Sequence, residues 1–171
     1  MKLTLYMAMS LDGLIAKDDD STNWSKAEWE LYSDFVKSKG NIILGRKTYD
    51  MMKADKDFNG IGHPFTVILS DSRGGSQDGK TMFVKTPEEA IAVMKGQGFL
   101  EVVLGGGTGA NTAFLQAGLI DEIVLDVEPI FLDSGKHLFN PGTVIPPLKV
   151  IKAEPTNQRL LRVHYKVTGK A

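Results

Sequence analysis

The sequence predicts one α/β domain over residues 1–171, with a mainly parallel sheet and an antiparallel edge. Three observations predict it. Short runs rich in Val, Ile and Leu alternate with helical segments, and several of these runs stop at a glycine or serine just before a helix start. The last two runs, 148–153 and 160–167, are separated only by a Glu-Pro-Thr-Asn-Gln connection, as an antiparallel pair is. A chain of 171 residues is long enough for one well-buried domain and short for two.

Residues 3–9 are nearly all apolar, as a strand covered on both faces is. A Ser10-Leu11-Asp12-Gly13 turn follows, then a polar loop at 17–23 that is either a solvated connection or a lid beside a site. Ser25 caps a helix with Glu28 at the capping-box spacing, and the helix runs to about Lys39 with Gly40 as its stop. On a helical wheel its apolar residues, among them Trp29, Tyr32, Phe35 and Val36, cover one half-circle with Glu28 at the centre. An acid there either serves only the cap or is buried, with a raised pKa and a use in chemistry.

Residues 41–44 form a short strand ending at Gly45, and Arg46, Lys47 and Thr48 fall in the first turn of the next helix. Cations oppose the dipole at a helix N-terminus unless an anion offsets them, so this is an anion-binding arrangement. Gly40 and Gly45 stand at the Walker spacing, but Arg46 takes the lysine position and the residues between are a strand, so an NTPase loop is rejected. Residues 54–64 read as a loop with His63 at the surface. Residues 65–69 are the next strand, ending at Ser70, and another strand covers 81–84. Thr86, Pro87 and Glu89 then open a helix as cap, first residue and box-closing acid. Residues 102–104 run into Gly105-Gly106-Gly107-Thr108 and a further helix, and these glycines are either a phosphate cradle or a turn that needs positive φ. Residues 120–128 resume the sheet.

Composition excludes several function classes. The net charge is −1 and no basic block occurs, so neither nucleic acid nor an anionic membrane is an expected partner. Cysteine is absent, and His63, His137 and His164 lie too far apart for a metal motif, so no metal site is expected. The apolar N-terminal run ends by Met9, too short for a signal peptide, and no segment approaches the roughly 20 apolar residues of a membrane span. The expectation is a soluble cytoplasmic protein.

Five segments in fixed order carry a family resemblance across nearly the whole chain. They are Met9-Ser10-Leu11-Asp12-Gly13-Leu14-Ile15-Ala16, Ile43-Leu44-Gly45-Arg46-Lys47-Thr48-Tyr49, Val67-Ile68-Leu69-Ser70, Phe83-Val84-Lys85-Thr86 before Glu89-Ala90-Ile91, and Val103-Leu104-Gly105-Gly106-Gly107. The set resembles the dihydrofolate reductase superfamily, and within it the branch of the riboflavin-biosynthesis reductase domain. The resemblance implies a three-layer α/β/α fold, NADPH as cofactor and hydride transfer to a pyrimidine or pteridine-like substrate, foremost 5-amino-6-(5-phosphoribosylamino)uracil, with dihydrofolate as the alternative. It also raises a homodimer, which these residues do not themselves indicate.

Residue by residue, the resemblance implies that Gly45, Arg46, Lys47 and Thr48 hold the diphosphate and approach the 2′-phosphate, and that Ser70 and Lys85 line the adenosine end. Gly105, Gly106, Gly107 and Thr108 would cradle the diphosphate and the nicotinamide-side ribose. Ala8 and Ile15 would flank the nicotinamide, and the loop through Trp24 would be the lid. Two departures stand out. The family's first-helix acid falls on Trp29 at strict offset and on Glu28 with a one-residue shift, and Asn111 sits one residue beyond its counterpart. Glu28 is the first catalytic candidate and Asp12 the second, although an Asp-Gly turn accounts for Asp12 as well. A non-catalytic nucleotide-binding module is the rival reading, in which the glycine turns serve packing.

Overall fold

Period-two burial along the strands builds two cores on the two faces of one sheet. In the computed structural model, which describes residues 1–156 and 159–169, nine strands run in the order β10-β11-β8-β1-β7-β3-β4-β6-β5. In chain order the first half comprises β1 (Lys2–Ser10), β2 (Leu14–Ala16), α1 (Lys26–Lys39), β3 (Asn41–Gly45), α2 (Arg46–Ala54), α3 (Asp57–Gly60), β4 (Phe65–Leu69), β5 (Gly75–Ser76) and β6 (Thr81–Val84). The second half comprises α4 (Pro87–Gly96), β7 (Glu101–Leu104), α5 (Thr108–Gln116), β8 (Glu122–Glu128), β9 (Lys136–His137), β10 (Leu148–Thr156) and β11 (Leu160–Val167). The segment from β8 through β1, β7, β3 and β4 to β6 is parallel, and β11, β10 and β5 join antiparallel.

Leu3, Leu5, Ile43, Val67, Val102 and Leu104 face α4 and α5, whose Met94 and Phe114 are fully buried against them. Their strand neighbours Tyr6, Ile42, Leu44, Ile68 and Val103 face α1 and α2, with Tyr32, Val36 and Met52 covering them. Alternation of this kind puts successive side chains on opposite faces. The result is the expected three-layer α/β/α arrangement with an antiparallel edge. Among the described residues no helix is long and apolar enough to cross a membrane.

The helix ends follow their local chemistry. Ser25 Oγ accepts the Glu28 N–H at 3.2 Å, and Gly40 closes α1 at φ +66. Thr86 Oγ1 accepts the Glu89 N–H at 3.2 Å, but the Glu89 carboxylate takes the N–H of Lys85, one residue before the cap, rather than that of Thr86. Three boundaries differ from expectation. The loop at 54–64 contains the single turn α3. Residues 136–137 pair with β2 as a small second sheet. β10 continues through Glu154, Pro155 and Thr156, a proline tolerated because β10 is an edge strand. Asn157 and Gln158, assigned above to the connection, lie outside the described residues.

Candidate active site

Four neighbouring parallel strands, β7, β3, β4 and β6, end at one side of the sheet, where ligands of open α/β folds lie. Two of these ends pass directly into helices. Gly45 is the N-cap residue of α2 and Gly107 that of α5, and neither helix has a side-chain cap or an acid in its first turn. α1 and α4, by contrast, are capped by Ser25 and Thr86 and carry first-turn acids. An uncapped N-terminus leaves backbone N–H groups unpaired at the positive end of the dipole. The two uncapped termini meet: the Gly45 N–H donates to the Gly106 carbonyl at 2.7 Å.

A cavity of about 870 Å³ opens over this junction. Gly45, Arg46, Lys47 and Thr48 line it from α2, Gly105, Gly107 and Thr108 from the other junction, and Ser70 and Lys85 from the ends of β4 and β6. Ala8 and Ile15 line it as well. Thus every cofactor-side residue named from the sequence reaches one cleft except Gly106, whose carbonyl is turned to Gly45 and whose φ of +93 suits glycine. A Cβ on Gly106 would stand 2.7 Å from Met7 Sδ, and one on Gly107 would stand 3.1 Å from Thr48 Oγ1.

Gly105 is small for a different reason than a phosphate's approach. A Cβ there would meet Tyr32 Oη and Ile42 Cδ1 at 2.7 Å, so the glycine lets α1 sit close on the sheet. The Thr108 hydroxyl donates to the His137 carbonyl at 2.6 Å. The Arg46 guanidinium binds Asp50 at 2.8 Å, and Asp50 also pairs with Arg73 at 3.0 Å. Asp20, Thr22 and Trp24 of the loop between β2 and α1 reach the cavity, and Lys136 pairs with Asp20 of that loop at 3.4 Å.

Glu28 lines the same cleft and is only 3% exposed. A capping box would occupy its carboxylate with the Ser25 N–H, but that N–H donates instead to Glu128 Oε1 at 2.8 Å. The carboxyl is therefore free of the cap, and among the described residues nothing hydrogen-bonds it. Burial, then the charges of Asp126 and Glu128, push its pKa up to about 8, against the opposing pull of Arg162.

Beneath Glu28 lies a closed polar network. Tyr6, on the floor of the cleft, donates its hydroxyl to Asp126 and accepts from Arg162. Arg162 grips Asp126 with two further bonds of 2.7 Å, from Nε and Nη2. Burial and the adjacent Asp126 carboxylate hold the Tyr6 phenol well above its ordinary range. Sequence reading missed this trio, yet a signal existed: Asp126 interrupts the apolar run 123–127, and Arg162 sits in the strand that pairs with it in register.

Asp12 does not share the cleft. Its exposed carboxylate accepts the Ser10 hydroxyl at 2.5 Å and the backbone N–H groups of Leu132 and Asp133 at 3.1 and 2.8 Å, a staple between two loops. Ser10 foremost, then those N–H groups, lower its pKa. This geometry accounts for the residue without chemistry. Asn111, the other departure, is fully buried and donates to the Leu138 carbonyl at 3.0 Å.

Comparison with known proteins agrees with this architecture. The chain is 31% identical to the uncharacterized protein YwjB of Bacillus subtilis (strain 168), over 96% of this chain and 97% of that one. Its fold matches a Shewanella sp. PV-4 protein provisionally ascribed to riboflavin biosynthesis, with TM-score 0.80, 24% identity and coverage of 99% and 100% of the two chains. It also matches a Thermotoga maritima protein named diaminohydroxyphosphoribosylaminopyrimidine deaminase/5-amino-6-(5-phosphoribosylamino)uracil reductase, with TM-score 0.73 and 14% identity, covering 98% of this chain and 56% of that one. The family model for the RibD C-terminal domain matches residues 1–161, and the chain belongs to that family.

Proposed function

We propose that this chain is an NADPH-dependent reductase that delivers a hydride to a pyrimidine or pteridine-like substrate. The observation that carries this reading is the meeting of two uncapped helix N-termini, at Gly45 and Gly107, in a cleft that also holds a buried, unpartnered acid. Paired backbone N–H groups with Arg46 and Lys47 beside them suit a diphosphate, and a guanidinium suits a 2′-phosphate. Ser70 and Lys85 extend the cleft along the sheet to where an adenosine would lie. NADPH would supply the hydride, and the protein has to align the acceptor, exclude water and deliver a proton.

Glu28 suits the last task. A carboxyl with a pKa of about 8 keeps its proton at neutral pH, so it can donate to the nitrogen of the C=N bond whose carbon receives hydride, or anchor a ring N–H. The ionised acid regains its proton from water at the cleft mouth. Membership of the RibD C-terminal domain family and the reductase name of the Thermotoga maritima protein point to 5-amino-6-(5-phosphoribosylamino)uracil as the first acceptor to test, with dihydrofolate second. Calorimetry of NADPH against NADH, followed by NADPH oxidation with each acceptor, tests the reading. Saturable NADPH binding and turnover with one acceptor are expected; binding of neither nucleotide would overturn it.

A further inference from the structure

Two tyrosines line the cleft, Tyr6 from the sheet and Tyr32 from α1, and their hydroxyls differ in what they bond. That of Tyr6 is saturated, donating to Asp126 and accepting from Arg162. That of Tyr32 has no hydrogen-bond partner among the described residues, although the residue is only 8% exposed. A Cβ on Gly105 would stand 2.7 Å from the Tyr32 oxygen, 2.7 Å from Ile42 Cδ1 and 3.0 Å from Leu44 Cδ2. On its sheet side the hydroxyl therefore meets hydrocarbon, which offers it no bond. The Gly105 N–H beside it is already committed to the Ile43 carbonyl at 2.9 Å.

A buried hydroxyl left without a partner is unfavourable, and native structures seldom keep one that no ligand or water completes. Ser33 Oγ and Asn111 Oδ1 are the sealed side-chain atoms in that condition among the described residues, and the Tyr32 oxygen is not one of them. It opens into the cleft, so a molecule that enters the cleft can complete it. α1 supplies neither of the helix starts assigned to the diphosphate, so its wall faces the acceptor rather than the dinucleotide. The Tyr32 ring stands edge-on to Tyr6, with centroids 5.6 Å apart, and tilted against Trp29 at 5.8 Å, contacts that fix where the hydroxyl points. Burial foremost holds its phenol above the ordinary range, so it keeps its proton and offers a donor at neutral pH. An acceptor atom, such as the oxo oxygen of a heterocycle, completes such a donor.

We propose that Tyr32 is a specificity-determining residue of the acceptor site: its hydroxyl donates to a ring oxo oxygen of the substrate, so the cleft prefers an oxo-substituted heterocycle to the same ring without that oxygen. This rests on the reductase reading and deepens it. A site built around a hydrogen bond discriminates strongly against an analogue that cannot make it, because the buried donor is then left unpaired.

The test uses the NADPH-loaded protein and two flat probes, 5,6-diaminouracil and 4,5-diaminopyrimidine, which share their amino groups while only the first carries ring oxo groups. Calorimetry gives the affinities. The unaltered protein is expected to bind the uracil at least tenfold more tightly than the pyrimidine. Tyr32→Phe keeps the ring and removes the hydroxyl. It is expected to weaken diaminouracil at least tenfold, and diaminopyrimidine and NADPH by no more than about twofold, with a melting temperature no lower than the parent's. The melt separates recognition from packing, since removing a hydroxyl that was bonded within the protein would lower it. Equal weakening of the two probes would mean that the hydroxyl accepts from an amino group or only shapes the wall, and would overturn the proposal. Undiminished binding of diaminouracil, a loss confined to NADPH, a lowered melting temperature, or failure of both probes to bind the NADPH complex would overturn it too. Failure of NADPH itself to bind would instead sink the reductase reading beneath it.

Discussion

Glu128 accepts the Ser25 backbone N–H at 2.8 Å, across 103 residues of sequence, and so performs the half of the α1 cap that Glu28 is spaced to perform. The substitution of one acid for another leaves Glu28 free in the cleft and places a second carboxylate near it. Glu128→Gln keeps an acceptor for Ser25 but removes the charge that helps raise the Glu28 pKa. The expected result is a basic limb of the pH–rate profile moved toward lower pH with little loss of stability. Glu128→Ala removes the acceptor too and is expected to destabilise by about 1 kcal/mol, read by urea denaturation.

Glu28 makes stability depend on pH in a definite direction. Its folded pKa of about 8 exceeds the ordinary 4.5, so the folded state keeps a proton that the unfolded state releases. The contribution is complete below about pH 4.5 and is lost as the pH rises toward 8. Glu28→Gln carries no such charge. Relative to the parent, the variant is expected to gain stability between pH 5 and pH 8, by up to about 1.4 kcal/mol per pH unit, in paired thermal melts at the two values.

Arg162 compensates the fully buried Asp126. Arg162→Met leaves that carboxylate without its cation and the Tyr6 hydroxyl without its donor, and the expected cost is about 3–5 kcal/mol. Asp126→Asn/Arg162→Met removes both charges and is expected to recover much of the loss, which a double-mutant cycle in denaturant measures.

Gly105 and Gly107 separate packing from binding. Gly105→Ala drives a methyl to within 2.7 Å of Tyr32 and Ile42 and is expected to destabilise by about 1–3 kcal/mol. Gly107→Ala meets only the Thr48 hydroxyl, at 3.1 Å, and is expected to weaken NADPH binding more than it lowers the melting temperature.

The outer sheet edge leads to an assembly prediction. Leu148, Val150 and Ile151 on β10, with Leu161 on β11 and Val144 and Ile145 before them, are exposed apolar residues on or beside an unpaired edge. Soluble chains seldom leave such a patch bare. A homodimer closing over it is expected in light scattering, with Val150→Glu/Ile151→Glu shifting it to monomer.

The parts of this structure legible in the sequence are those governed by local rules. The Ser25 cap, the Gly40 stop and the strand-to-helix junction at Gly45 depend on neighbouring residues, and periodicity alone put Glu28 on the buried face of α1. Contacts between distant segments left weaker traces. Nothing near Ser25 announces Glu128, and the Asp126–Arg162 pair shows only as two charges in strands whose pairing must already be known. Asp12 misled for the same reason, since the amides of Leu132 and Asp133 that occupy its carboxylate lie 120 residues away or more. Gly105 shows a further limit: a glycine run looks alike whether it admits a phosphate or a tyrosine hydroxyl.

Hydrogen exchange of the backbone with and without NADPH measures the central claim, two helix starts sharing one dinucleotide. Protection is expected to rise together at 45–48 and 105–108, with a smaller rise near Ser70 and Lys85. Unchanged exchange at both helix starts under saturating nucleotide, or protection confined to one of them, would contradict it.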